Sequence, residues 1–187
     1  MDCGAASASI NGGLTNTGTI NVDATTNFGS ALTVANNFTN NGTIALNNVS
    51  NGGEWVGTLT VGTGGTLTNA VGATLRSAGS AGNTPNVIDA VVTNQGTIDV
   101  DRPLSITNTG RTFTSSAGTL DIASGQTLTV SGGTTTLGSG TTFLGTGTLS
   151  LTNTPILNLA SNLTLPGGSV TLDLNGNSAA TVSSTAP

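Results

Sequence analysis

Apolar and polar residues alternate along this chain in short bursts. Ile20 and Val22 flank Asn21, Ile98 and Val100 flank Asp99, Leu120 and Ile122 flank Asp121, and Leu128 and Val130 flank Thr129. A period of two turns one face inward and one outward, which predicts half-buried strands. Each burst is only about three to five residues long, and no connection between bursts carries a helical pattern. The apolar anchors Ile98, Ile106, Phe113, Leu120 and Leu128 step by seven or eight residues. Three such steps make a longer period, and a phrase recurs on it. Val92-Thr93-Asn94-Gln95-Gly96-Thr97-Ile98-Asp99-Val100 is repeated as Leu14-Thr15-Asn16-Thr17-Gly18-Thr19-Ile20-Asn21-Val22 and as Phe38-Thr39-Asn40-Asn41-Gly42-Thr43-Ile44-Ala45-Leu46. Looser copies begin at Leu67 and Phe113, and a degraded one at Leu137.

The glycines Gly18, Gly42, Gly72, Gly96, Gly118 and Gly140 mark the period at about 22–24 residues, with one longer gap between Gly42 and Gly72. A fixed period of this size signals a solenoid. With three strands per period and no crossover helix, each coil must pair with the coils above and below. The predicted fold is therefore all-β: a right-handed parallel β-helix with three short strands per coil. About eight coils at a rung spacing of about 4.8 Å would make a rod near 40 Å long. The glycines are expected to supply positive φ at sharp corners. Asn16, Asn40, Asn69 and Asn94 are expected to stack as a ladder at one corner.

Residues 1–187 read as one solenoid segment, with irregular ends at 1–13 and 175–187. The stretch 47–56 breaks the rhythm and reads as an enlarged turn carrying Trp55. That ring is expected to fold over the apolar interior; as a lone aromatic it is a weak sugar-stacking platform. Residues 76–86 are rich in Ser, Gly and Ala and read as a surface loop. Pro103 is placed at a turn, because it lacks an amide hydrogen. Strands are expected over Leu149-Ser150-Leu151, Leu157-Asn158-Leu159, Leu163-Thr164-Leu165 and residues 170–174. The pattern starts and stops without an evident cap, which points to a segment of a longer secreted protein.

Composition narrows the chemistry. The 187 residues carry a net charge of −5, with three Arg, no Lys, no His and no Tyr. Scarce charge beside abundant Thr, Val and Ile separates the chain from disordered low-complexity sequences. Nucleic acid is excluded as a partner, since phosphate contacts need a basic patch. No apolar run is long enough for a membrane span. Cys3, the one cysteine, has no partner for an internal disulfide. The missing His and Lys remove the usual bases, Schiff-base nucleophiles and most metal sites, so no cofactor is expected. Carboxylates remain. Asp99 and Asp121 should project from adjacent coils with Arg76 one coil before Asp99. This pair could mimic the spacing of a retaining glycosidase, or Asp99, Asp101 and Asp121 could hold a divalent cation. The simpler reading is an exposed Arg76–Asp99 ion pair. The threonines Thr19, Thr43, Thr97 and Thr119 should stack on one face, as in water-ordering solenoids. The Thr-x-Thr pairs 58/60, 66/68 and 127/129 do not fall at one position in every coil. Sequons at Asn37, Asn41, Asn48 and Asn162 are expected from composition alone.

The phrases at Leu14, Phe38 and Val92, with Asn69-Ala70-Val71-Gly72-Ala73-Thr74-Leu75, resemble those of bacterial autotransporter passengers and filamentous-haemagglutinin-type adhesins over residues 14–151. The resemblance implies a secreted or cell-surface stalk or adhesive segment. It acts as a rigid spacer and contact surface, without enzymatic activity. Its partners would be host or cell-surface glycans or proteins, or further copies joined end to end. A carbohydrate-active enzyme using Asp99 and Asp121, and a Thr-rich ice-binding solenoid, are the alternatives.

Overall fold

The computed structural model describes residues 6–24, 28–48, 55–79, 83–153, 156–159, 162–175 and, by backbone, 181–184. Cys3 and the centre of the enlarged turn at 51–54 lie outside the described residues. Coil by coil the strands are β1 (Ala6–Ile10), β2 (Leu14–Asn16) and β3 (Thr19–Ala24); β4 (Ser30–Val34), β5 (Phe38–Asn40) and β6 (Thr43–Asn48); β7 (Gly57–Val61), β8 (Thr66–Asn69) and β9 (Thr74–Gly79). Then come β10 (Asn86–Asp89), β11 (Val91–Asn94) and β12 (Thr97–Val100); β13 (Leu104–Thr107), β14 (Thr112–Ser115) and β15 (Thr119–Ile122); β16 (Thr127–Ser131), β17 (Thr134–Leu137) and β18 (Thr142–Gly145). After these six full coils follow β19 (Thr148–Thr152) and β20 (Ile156–Leu159), then β21 (Thr171–Asn175) and β22 (Thr181–Ser184).

From β1 to β20 every third strand joins the same parallel sheet, and β21 and β22 then continue the first and second sheets with no third-sheet strand before them. The first sheet holds eight strands in the order β1-β4-β7-β10-β13-β16-β19-β21, the second eight from β2 to β22, and the third six from β3 to β18. The chain is a parallel β-solenoid with three strands per coil. Ile44 follows Ile20 by 24 residues and Leu120 follows Ile98 by 22, while the longest step in this column, 31, separates Ile44 from Leu75. Added residues are thus absorbed in corners, and the strands keep their register.

Register places equivalent apolar residues in columns. In the third sheet Ile20, Ile44, Leu75, Ile98, Leu120 and Phe143 lie directly over one another. In the first, Leu32, Leu59, Ile88, Ile106, Val130 and Leu151 do so. In the second, Leu14, Phe38, Leu67, Val92 and Phe113 do so. Nearly all belong to one continuous buried cluster. Each such side chain removed from water contributes about 1.5–3 kcal/mol, and the columns leave the outward positions for polar residues.

The asparagine ladder forms as expected, but inside the coil. The Nδ2 of Asn16 donates to Asn40 Oδ1 at 2.8 Å, that of Asn40 to Asn69 Oδ1 at 2.9 Å, and that of Asn69 to Asn94 Oδ1 at 2.9 Å. The second amide proton of each reaches a backbone carbonyl one coil on, at Thr43, Thr74 and Thr97. Asn94 passes the ladder to Ser115 Oγ at 3.3 Å. Buried amides survive here because every rung satisfies the next.

The glycines beside this ladder serve a different purpose from the one expected. Among the repeat glycines only Gly72 has positive φ, at 80°. A Cβ on Gly42 would lie on the Gly18 carbonyl oxygen, one on Gly96 on the Ala70 and Ala73 carbonyls, and one on Gly118 on the Asn94 amide. Close stacking of one coil on the last selects glycine there. Gly18, in the first coil, has open space at that point.

Other expectations shift. Within 1–13, expected to be irregular, β1 pairs with β4 over five residues; within 175–187, β22 pairs with β20. Residues 76–79 of the expected loop belong to β9. Ser77 stands in the column between Leu46 and Val100, its hydroxyl donating to the Pro103 carbonyl and accepting from Asn86 Nδ2. Asn86 is buried too: its Nδ2 donates to the Leu46 carbonyl and its Oδ1 accepts from the Gly57 amide. Small polar residues that read as a loop therefore fill an interior corner. Leu163-Thr164-Leu165 forms no strand, and Pro166 follows, lacking the amide hydrogen a ladder needs. Leu137 is not the first apolar position of its copy. It aligns with Ser115, and Thr135 occupies the Phe113 column.

Candidate contact surfaces

Three outward faces are available, one per sheet, and they differ in chemistry. The third sheet carries the acidic residues singled out from sequence. Arg76, Asp99 and Asp121 occupy successive rungs of one outward row. Arg76 Nε lies 3.2 Å from Asp99 Oδ2, and the same guanidinium donates to Asp101 Oδ2, with Nε at 3.0 Å. Asp101 comes within reach because β12 ends at Val100 and the chain turns toward Pro103. The expected Arg76–Asp99 pair is thus a three-membered cluster.

Its electrostatics follow from this geometry. Partial burial and the Asp101 charge push the Asp99 carboxyl above the usual range; Arg76 opposes that shift and Asp121 adds to it. The hydrogen bond to Asp101 pushes the Arg76 guanidinium up. The cation at the Asp99–Asp101 end is a guanidinium. Among the described residues no three His, Cys, Asp or Glu side chains are placed to hold a metal ion. A carboxyl with raised pKa beside a second carboxylate is what acid catalysis would need. Here it faces an arginine on an open sheet. A cavity of about 380 Å³ lies elsewhere, at the first coil, lined by Ala6, Ser7, Ile20, Val22, Asp23 and Leu32.

The first sheet is mixed. Asp89 and Asp173 interrupt rows of Ser and Thr, and Arg111 pairs with Asp89. At the corner before this sheet, Trp55 is not alone. Its ring centroid is 6.2 Å from that of Phe28, tilted by 34°, and 42% of the residue is exposed. Asn48, the acceptor of one sequon, is buried.

The second sheet is free of charge. No ionisable residue occurs in β2, β5, β8, β11, β14, β17 or β20. Its outward centre is a rank of threonines.

Protein-family models, curated proteins and solved structures give no match to this chain. The sequence found Asp99, Asp101, Asp121 and the Asn16–Asn94 ladder. It missed the buried amides Asn86 and Asn108. Asn108 sits in a second copy of Thr-Asn-Thr-Gly, at 107–110, which closes a different corner from the copy at 15–18.

Proposed function

We propose that this chain is a structural stalk segment of a secreted or cell-surface protein, serving as a rigid spacer that also presents a contact surface. The observation that carries this reading is unbroken register through six coils, backed by a filled core and a buried amide ladder. Such stacking resists bending, because each coil is held by its neighbours along its whole perimeter. The phrases at Leu14, Phe38 and Val92, which resemble those of autotransporter passengers and filamentous-haemagglutinin-type adhesins, favour export to the bacterial surface. Glycans or proteins of another cell, or further copies of this chain, are the partners that fit such a segment. The chain has no enzymatic activity in this reading.

The purified chain is tested on a glycan array and on cell surfaces, alongside a polysaccharide panel for sugar release. Saturable binding without sugar release is expected of an adhesive segment. Binding to nothing leaves a spacer. Sugar release that Asp99→Asn abolishes would replace both by a carbohydrate-active enzyme.

A further inference from the structure

We propose that the outward face of the second sheet binds ice. Thr15, Thr39, Thr68, Thr93, Thr114 and Thr136 stand on six successive rungs, each directly over the last. A second rank lies two residues earlier, where Thr66 pairs with Val91 and Thr112 with Thr134. The Thr-x-Thr pairs 66/68, 112/114 and 134/136 are therefore aligned on this face, whereas 58/60 and 127/129 belong to the first sheet.

Four properties suit this face to a water lattice. Rungs of a parallel sheet repeat every ~4.8 Å, close to the repeat along the a axis of hexagonal ice. Thr is stiff at χ1, so the rank is set before any contact and little rotamer freedom is lost on binding. Among the described residues, the hydroxyls of Thr39, Thr68, Thr93, Thr114 and Thr136 bond no other group of the chain, which leaves them for external water. Finally, each is followed in its strand by a buried residue, Asn40, Asn69, Asn94, Ser115 or Leu137. The face is thereby fastened to the ladder beneath it.

The third sheet provides an internal control. It bears its own rank of Thr19, Thr43, Thr74, Thr97, Thr119 and Thr142. Two residues along the same strands stand Arg76, Asp99 and Asp121. Charged groups hold water in shells centred on themselves, which do not continue a lattice. β-Propensity alone would favour both ranks equally; lattice binding favours the uncharged one.

The experiment measures thermal hysteresis and incorporation into a growing ice hemisphere for the purified chain. Two variants are compared with it: Thr68→Lys with Thr93→Lys on the second sheet, and Thr74→Lys with Thr97→Lys on the third. Circular dichroism and melting temperature establish that both remain folded. If one does not, Thr93→Lys or Thr97→Lys alone takes its place. The expected result is hysteresis and incorporation for the parent chain, loss of both for the second-sheet variant, and retention for the third-sheet variant. A parent chain excluded from ice overturns the proposal. So does equal loss, or equal retention, in the two variants. The stalk reading does not depend on this outcome, since it rests on binding and rigidity measured without ice.

Discussion

The corner between the second and third sheets is built in two ways along one molecule. Through the first four coils it is filled by the amides of Asn16, Asn40, Asn69 and Asn94, each bonded to the next. Two coils later Leu137 holds the same position, and Thr141, one turn on, donates its hydroxyl to the Ser115 carbonyl. Both solutions fill the space and both satisfy the backbone. They differ in how far a defect travels. An amide ladder is a chain of directional bonds, so one missing rung leaves partners unsatisfied above and below. An apolar plug loses its own contacts and leaves its neighbours paired.

The largest effect is expected from cutting the ladder. Asn69→Ala removes the acceptor for Asn40 Nδ2 and the donor for Asn94 Oδ1 and should cost about 3 kcal/mol, from two buried groups at 1–3 kcal/mol each. Urea unfolding should show a lower midpoint at an unchanged slope. Asn69→Leu, which copies the Leu137 solution one coil at a time, should not rescue it. A full rescue would show that volume, not bonding, is what the corner requires.

Next comes the glycine beside the ladder. Gly96→Ala drives a methyl into the Ala70 and Ala73 carbonyls and should cost about 2 kcal/mol by overpacking. Gly18→Ala, with open space at the same point of the first coil, should lie within about 1 kcal/mol of the parent chain. Equal costs for the two would mean that backbone conformation, not stacking, selects glycine here.

The interior of the second sheet can be improved in the same coil. Thr135 is fully buried with its hydroxyl unpartnered among the described residues, in a column otherwise filled by Phe113 and Leu157. Thr135→Val keeps the shape and removes the stranded group, so it should gain about 1 kcal/mol, read as a rise in melting temperature.

The smallest effect lies on the third sheet's outer face. Asp99 has a folded pKa above its ordinary value, so the folded chain binds its proton more tightly than the unfolded one. The cost of holding the carboxylate is present at neutral pH and is relieved as pH falls through the folded pKa. Asp99→Asn should therefore melt slightly higher than the parent chain near neutrality. The gap should close as the solution is acidified toward the ordinary carboxylate range. A lower melting temperature for the variant at pH 7 would show that the Arg76 bond outweighs burial.

The columns of this fold were legible in the sequence because alternation and the recurring phrase both survive locally. Ile20, Ile44, Ile98 and Leu120 can be aligned by eye, and so can the four ladder asparagines. What was not legible depends on contacts between coils. The need for glycine at position 96 comes from Ala70 and Ala73, more than twenty residues away. Ser77 and Asn86 read as loop because each is small and polar. Only the register shows that one hydroxyl and one amide close an interior corner together. The second-sheet threonine rank could be aligned from the same phrase, since Thr15, Thr39, Thr68 and Thr93 each stand directly before a ladder asparagine. The sequence alone does not show that this sheet is the one whose outward positions stay free of charge, because that depends on which strands the coils bring together.

Register is the claim on which the rest stands, and cross-linking reads it directly. In a Cys3→Ser background, Thr68→Cys with Thr93→Cys places two thiols on adjacent rungs, within the Cα separation of about 4.4–6.8 Å that a disulfide requires. Thr66→Cys with Thr93→Cys places them two residues out of step, at about 7–8 Å. Mild oxidation should close the first pair within the monomer and leave the second open. Preferential closure of the second pair, or of neither, would contradict the stacked-coil account.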